Sequence, residues 1–165
     1  MSTYHHGDLR SAVLAAAGKI IEKEGLARLS VREAARRAGV SHNAPYRHFR
    51  DRDALLAALA IEGFAQLERA LEGRSGRSLG EAYVRFALEH PQRFRLMSAS
   101  PQMATLQQRF ASTFAELGAG TEIAAAAAWS LVHGLAQLIL DGQLKRDDDF
   151  VNKVIGAIRV AQRSA

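Results

Sequence analysis

An all-α fold is predicted by three features of the 165-residue chain. Pro occurs only 3 times, so little interrupts helical hydrogen bonding. Ala, Leu, Arg and Glu are abundant, and these side chains lose little rotamer freedom in a helix. Apolar residues recur at helical spacing between recognisable start and stop signals. With 48% hydrophobic and 24% charged residues, the chain carries enough apolar surface for a core. Its length fits one compact domain, or a small module plus a second helical layer, and is too short for a barrel enzyme. Cys is absent, which excludes disulfides, thiolate metal sites and Cys nucleophiles.

The first helix is expected from Asp8, a candidate N-cap, to Glu24, with Leu9, Val13, Ala16, Ala17, Ile20 and Ile21 on one stripe and Gly25 as the stop. Ser30-Val31-Arg32-Glu33 matches a capping box in which the Ser hydroxyl accepts from the backbone and Glu33 reaches back. It starts a short helix that Gly39 ends. Ser41 caps a third helix over about 42–48, where Pro45 is tolerable near the first turn. Asp51 caps a fourth, over about 52–72, rich in Leu. Further helices are expected at about 78–90, 91–98 and 101–117, two of them opened by Pro91 and Pro101. The 18 residues from Ile123 to Leu140 carry no charge. That length could span a membrane, but Ser130, His133, Gln137 and the charges from Asp141 onward favour a buried helix. The last helix, about 147–163, opens on three Asp residues that suit a helix N-terminus. Charges at Lys19, Glu22, Lys23 and Glu24 break any export signal, so a cytoplasmic protein is expected.

Charge is one-sided. Residues 1–50 hold 9 Lys and Arg against 4 Asp and Glu, and residues 51–165 hold 13 against 13, so the whole net charge of +5 is N-terminal. A basic module on a neutral body is the footprint of a phosphate-backbone partner, and equally of a solvated basic face. The segment 30–49 has the plan of a helix-turn-helix, whose second helix enters the major groove. There, His42, Asn43, Tyr46, Arg47 and His48 can all hydrogen-bond. Asn pairs with adenine and Arg with guanine through two bonds each, while Tyr46 and His48 suit phosphates.

The run Leu29-Ser30-Val31-Arg32-Glu33-Ala34-Ala35-Arg36-Arg37-Ala38-Gly39-Val40-Ser41, followed by Pro45-Tyr46-Arg47-His48-Phe49, resembles the DNA-binding module of TetR/AcrR transcriptional regulators. The likeness extends from Tyr4-His5-His6-Gly7-Asp8 to Arg52-Asp53-Ala54-Leu55-Leu56. Trp129-Ser130-Leu131-Val132-His133-Gly134 is similar to the Trp-x-x-x-His-Gly pattern of one C-terminal subgroup. The resemblance implies about nine helices: a three-helix DNA-binding module, here 1–52, and a ligand-binding and dimerisation bundle, here 53–165. It implies phosphate contacts from Ser30, Arg32 and Arg52, groove contacts from Ser41, His42, Asn43, Tyr46, Arg47 and His48, and an arm of Tyr4, His5 and His6. The implied partners are a double-stranded operator, a second copy of the chain and a small-molecule effector whose binding releases DNA. Pro45 departs from the small or apolar residue common among relatives, and the body is short.

In the body, Phe86, Phe94, Met97, Met103, Phe110, Phe114, Trp129 and His133 are candidates for an effector pocket, most of them equally suited to plain core. Trp129, Val132, His133, Ala136 and Leu140, with Phe150, Val151, Val154, Ile155 and Ile158 on the last helix, are candidates for the dimer seam. No metal or cofactor is expected, since adjacent His5 and His6 point apart and the Asp147–Asp149 run suits a helix dipole. No nucleophile with its base, carboxylate pair or phosphate-binding loop is present, so an enzyme is not expected. The alternative is a dimeric architectural DNA-binding protein with little sequence preference and no effector.

Overall fold

The computed structural model describes residues 6–106, 108 and 122–157, with side chains from Leu9 onward. All its regular elements are helical, as expected. Among the described residues these are α1 (His6–Glu24), α2 (Val31–Arg37), α3 (Arg52–Leu71), α4 (Gly76–Glu89), α5 (Pro91–Ser98), α6 (Glu122–Leu140) and α7 (Asp148–Ala157). There are also two 3₁₀ turns, Leu26–Arg28 and Ala44–Arg47, and residues 102–106 are helical as well. The chain divides into two compact units, one of residues up to Gly63 with Gln92–Ser98, the other of Phe64–Pro91 with the residues from Ala99.

In the first unit the local signals act largely as written. α1 begins at His6, which puts Asp8 in its first turn, and it ends at Gly25, whose φ of 85° suits a residue without Cβ. The Ser30 hydroxyl accepts from the Glu33 N–H at 3.1 Å. Glu33 does not reach back, because Arg36 and Arg37 hold its carboxylate at 2.6 to 2.9 Å. α2 closes in a Schellman motif: Val40 N–H donates to the Ala35 carbonyl and Gly39 N–H to that of Arg36, with Gly39 at φ 69°. Val13, Ala17, Ile20 and Ile21 of α1 pack with Leu29, Val31, Ala34, Phe49, Leu55 and Leu59 in one core. This core encloses what the helix-turn-helix needs before it can present any side chain outward.

The third helix differs from expectation. In place of an α-helix over 42–48 there is a single 3₁₀ turn, Ala44–Arg47. Pro45 has no N–H to give to the Ser41 carbonyl, so that acceptor takes the Ala44 N–H three residues on, at 3.0 Å. The tight turn continues with Tyr46 N–H to Asn43 and His48 N–H to Pro45, and Phe49 N–H also donates to Pro45. Asp51 then caps α3, accepting from the Ala54 N–H at 2.7 Å.

α5 belongs to this first unit. Its opening N–H groups at Gln92 and Arg93 donate to the two carboxylate oxygens of Glu22 on α1, at 3.1 and 2.9 Å. Phe94 and Met97 are fully buried, and Gly63 on α3 makes room for Met97, since a Cβ there would stand 2.6 Å from its sulfur.

In the second unit α4 packs on α6 and α7. Gly80 permits the approach, because a Cβ would lie 3.2 Å from both Val132 and Ile155. α6 is apolar and long enough to cross a membrane by length and composition alone. Its Ala125, Ala128, Trp129, Val132, Leu135, Ala136 and Ile139 are buried in this unit while Ile123, Ala127, Ser130 and Leu138 are exposed, so the helix expected to be buried is buried on one face. It ends at Leu140, with the uncharged stretch, and Gly142 then adopts φ 72° while Gln143 N–H returns to the Leu138 carbonyl. Asp147 caps α7 through the Phe150 N–H at 2.8 Å.

Candidate nucleic-acid interface

The turn Ala44–Arg47 is anchored from beneath and polar above. Pro45 is buried and Phe49 is only 1% exposed, while Ser41, His42, Asn43, Tyr46, Arg47 and His48 are all exposed. Tyr46, a large ring, is 42% exposed, which suits a phenol held ready for a polar partner. Ser30 and Arg32, at the start of α2, are exposed as well. The Ser30 oxygen accepts the capping bond, which leaves its O–H to donate outward. Tyr4 and His5 lie outside the described residues, as does the side chain of His6.

Arg52 is engaged within the module. Its Nε donates to the Leu29 carbonyl at 3.0 Å and its Nη2 to the Leu26 carbonyl at 2.7 Å. Three further cations enter the picture that the motif does not mark. Arg10 lies over the Phe49 ring, 5.6 Å from its centroid. Arg28 is exposed on the turn before Ser30, and Arg50 is exposed beside the recognition turn with Asp51 at 3.0 Å. Arg28 was visible as a cation two residues before the N-cap; the Arg10 contact joins residues 39 apart, a relation no local pattern carries.

Arg36 and Arg37 converge on Glu33, whose carboxyl they hold down at about 2, and Arg37 also pairs with Glu24 at 2.7 Å. A carboxylate whose folded pKa lies below its unfolded value, near 4.5, contributes stability present above that value and lost as pH falls toward 2. The thermal midpoint is therefore expected to fall between about pH 5 and about pH 2, with a shallower fall in Glu33→Gln. Parallel pH profiles for the two proteins would contradict this.

The second unit holds an aromatic cluster. Tyr83 of α4, fully buried, bonds His133 Nδ1 at 2.8 Å. Burial pushes the Tyr83 hydroxyl far up and the His133 imidazole down, so the bond joins a neutral phenol to a neutral ring. Trp129 stacks on His133 with centroids 5.7 Å apart and meets Tyr83 edge-on at 5.2 Å.

The residues expected around an effector are divided. Phe86, Trp129 and His133 belong to the second unit, Phe94 and Met97 to the core of the first, Met103 is half-buried, and Phe110 and Phe114 lie outside the described residues. A cavity of about 250 Å³ between α4 and α7 is lined instead by Glu81, Arg85, Glu89, Arg146, Asp148 and Asn152, with Val84, Leu88 and Val151.

The seam candidates are divided too. Trp129, Val132, Ala136, Val151 and Ile155 are buried within their own chain, so a partner cannot meet them without repacking. His133, Leu140, Phe150 and Val154 are half-buried, and Ile158 lies outside the described residues. The outward face of α6 is the opposite one: Ile123, 84% exposed, then Ala127, Ser130, Gly134 and Leu138, 39% exposed. A Cβ added at Gly134 meets no atom within 4 Å.

Residues 13–59 match the family model described as bacterial regulatory proteins, tetR family, and residues 77–156 match that of the tetracyclin repressor-like C-terminal domain. Among solved structures, a protein with unknown function from Rhodococcus sp. RHA1 is 36% identical, with 99% of this chain and 98% of that one covered and a TM-score of 0.76. A bacterial regulatory protein in the tetR family from Rhodococcus RHA1 is 17% identical over 96% and 97% of the two chains, with a TM-score of 0.71. A multidrug binding protein, EbrR, complexed with imidazole, is 24% identical over 92% and 89%, with a TM-score of 0.62. No curated protein matches the chain.

Proposed function

We propose that this chain, which belongs to the TetR family of bacterial regulatory proteins, is a homodimeric repressor that binds a pseudo-palindromic operator and is released from it by a small molecule. As a member it is a transcriptional regulator and not an enzyme. The observation that carries the operator reading is the recognition turn, where six exposed polar side chains stand on a buried Pro45 and Phe49 within the first 50 residues, which hold the net charge of +5.

Asn43 and Arg47 read base edges, Tyr46 and His48 hold phosphates, and Ser30 and Arg32 add backbone contacts from α2. Tyr4, His5 and His6 add contacts to the DNA from ahead of and at the start of α1. In this reading DNA recognition resides in 1–52, and dimerisation and effector binding in 53–165. Two copies pair through the outward face of α6 and the half-buried Phe150 and Val154 of α7, with recognition turns about 34–36 Å apart. The exposed Ile123 and Leu138 support this face, since large apolar side chains left in water favour burial against a partner. Effector release is supported by the aromatic cluster around His133 and by the name of the multidrug-binding relative. The protein acts in the cytoplasm.

Selection of genomic fragments on purified protein at about 150 mM salt tests the reading, because that salt suppresses much non-specific phosphate binding. A common inverted repeat is the expected result; enrichment without one would favour the architectural alternative. With the repeat in hand, Arg47→Ala is expected to cost about 1–3 kcal/mol and relax preference at one position. Uniform weakening across sequences would instead make Arg47 a phosphate contact.

A further inference from the structure

We infer that Arg52 is an internal brace, which sets the geometry of the helix-turn-helix and is not spent on the DNA backbone. The inference rests on the DNA-binding reading above and concerns a residue for which resemblance implies a phosphate contact.

The Arg52 guanidinium reaches two carbonyls ahead of α2, those of Leu29 and Leu26. Leu29 is the extended residue after the first 3₁₀ turn, with φ −75° and ψ 127°, and it is 2% exposed. A carbonyl at so buried a position needs a donor, and it receives Arg52 Nε at 3.0 Å. The Leu26 carbonyl already accepts the Leu29 N–H at 3.2 Å, and Arg52 Nη2 adds a second, shorter bond at 2.7 Å. The guanidinium fork thus ends the 3₁₀ turn and fixes the residue just ahead of Ser30.

These bonds cross 23 and 26 residues. They tie the start of α3, where the chain leaves the recognition turn, to the start of α2, where it enters the motif. The recognition turn is therefore held at both ends: by the Schellman closure of α2 before it and by the Arg52 fork after it. Arg52 also opens α3, where a cation is opposed by the positive end of the helix dipole. Turning the charge onto two carbonyls outside the helix offsets that opposition.

Lys cannot substitute. Its ammonium is a point charge without the planar pair of donors that meets two acceptors from one rigid group. Arg52→Lys therefore separates the two roles, because it keeps the charge a phosphate needs and loses the fork a brace needs.

The test compares the full-length wild type with Arg52→Lys, Arg52→Gln and, as a phosphate-contact reference, Arg32→Ala. Hydrogen exchange on DNA-free protein is the first arm. Amides from Leu26 to Ala35 are expected to exchange at least about tenfold faster in both Arg52 variants, because the local opening loses two charge-assisted bonds. The second arm is binding to a random-sequence duplex of about 30 base pairs over a salt series. The log-log slope is expected to stay at its wild-type value in both Arg52 variants and to shrink by about 0.9 per bound copy in Arg32→Ala. On the selected operator, the ratio of specific to random affinity is expected to fall about tenfold in both Arg52 variants. A residue that merely stabilises the fold would leave that ratio unmoved at a temperature where every variant is folded.

Wild-type exchange in both Arg52 variants would overturn the brace. So would an Arg52→Gln slope reduced by about 0.9 per copy with Arg52→Lys unchanged. If the wild type itself binds duplex without salt dependence, the DNA-binding reading fails, and the exchange arm still decides whether Arg52 braces the motif.

Discussion

Gly134→Arg is expected to yield a folded monomer that no longer binds a palindromic operator tightly. The fold should survive because a Cβ at this position meets nothing within 4 Å, and Arg is the better helix former by roughly 0.8–1 kcal/mol. The interface should not survive. Gly134 lies between Ser130 and Leu138 on the outward face of α6, the proposed seam, where a guanidinium would have to be desolvated against the partner at a cost of several kcal/mol. Losing the link between two half-site contacts removes an avidity factor of about 10²–10⁴. Sedimentation at micromolar concentration reads the mass, and titration of the selected operator reads the affinity. Trp129→Ala is the contrasting variant: its side chain is buried in its own chain, so it should destabilise the subunit by about 3–5 kcal/mol. A Gly134→Arg dimer, or a monomeric wild type, would remove α6 from the seam.

Phe49→Ala is expected to cost the DNA-binding unit about 3–5 kcal/mol, the range for deleting a buried aromatic side chain. Phe49 is among the largest fully buried side chains in the protein, and it ends the recognition turn. Its ring carries Arg10 on one side and its N–H closes on the Pro45 carbonyl at 2.9 Å. Removing the ring takes away the floor on which Tyr46, Arg47 and His48 stand. Urea unfolding should show a lowered midpoint, and operator binding should weaken even where the variant remains mostly folded. Phe49→Leu, which refills much of the space, should recover most of both. A loss below about 1 kcal/mol would mean that the turn is anchored elsewhere.

How much of this was legible depended on how far apart the interacting residues lie. The caps at Ser30 and Asp51, and the glycine stops at Gly25 and Gly39, act within four or five residues, and the sequence shows them directly. The exposed set from Ser41 to His48 was also legible, because polar residues on a short turn over a buried Phe have few other places to go. The change from α-helix to 3₁₀ turn was half legible: Pro45 announced a missing donor, but whether four residues tighten or lengthen depends on what holds Phe49.

The sequence by itself determined that the chain is helical, where its first helices start and stop, and which end carries the positive charge. These follow from hydrogen bonds and dihedral preferences that close within one or two turns. Only the tertiary structure decided which face of α6 is inward, because a helix with almost no polar residues has no side that water must take. Packing against Gly80 and Tyr83 of α4 settled it, burying Trp129, Val132 and Ala136 and leaving Ile123, Gly134 and Leu138 outside. Only the tertiary structure placed Phe94 and Met97 in the first unit and gave Arg52 its carbonyl partners. Each of those contacts joins residues more than twenty positions apart, where spacing along the chain carries no information about distance in space.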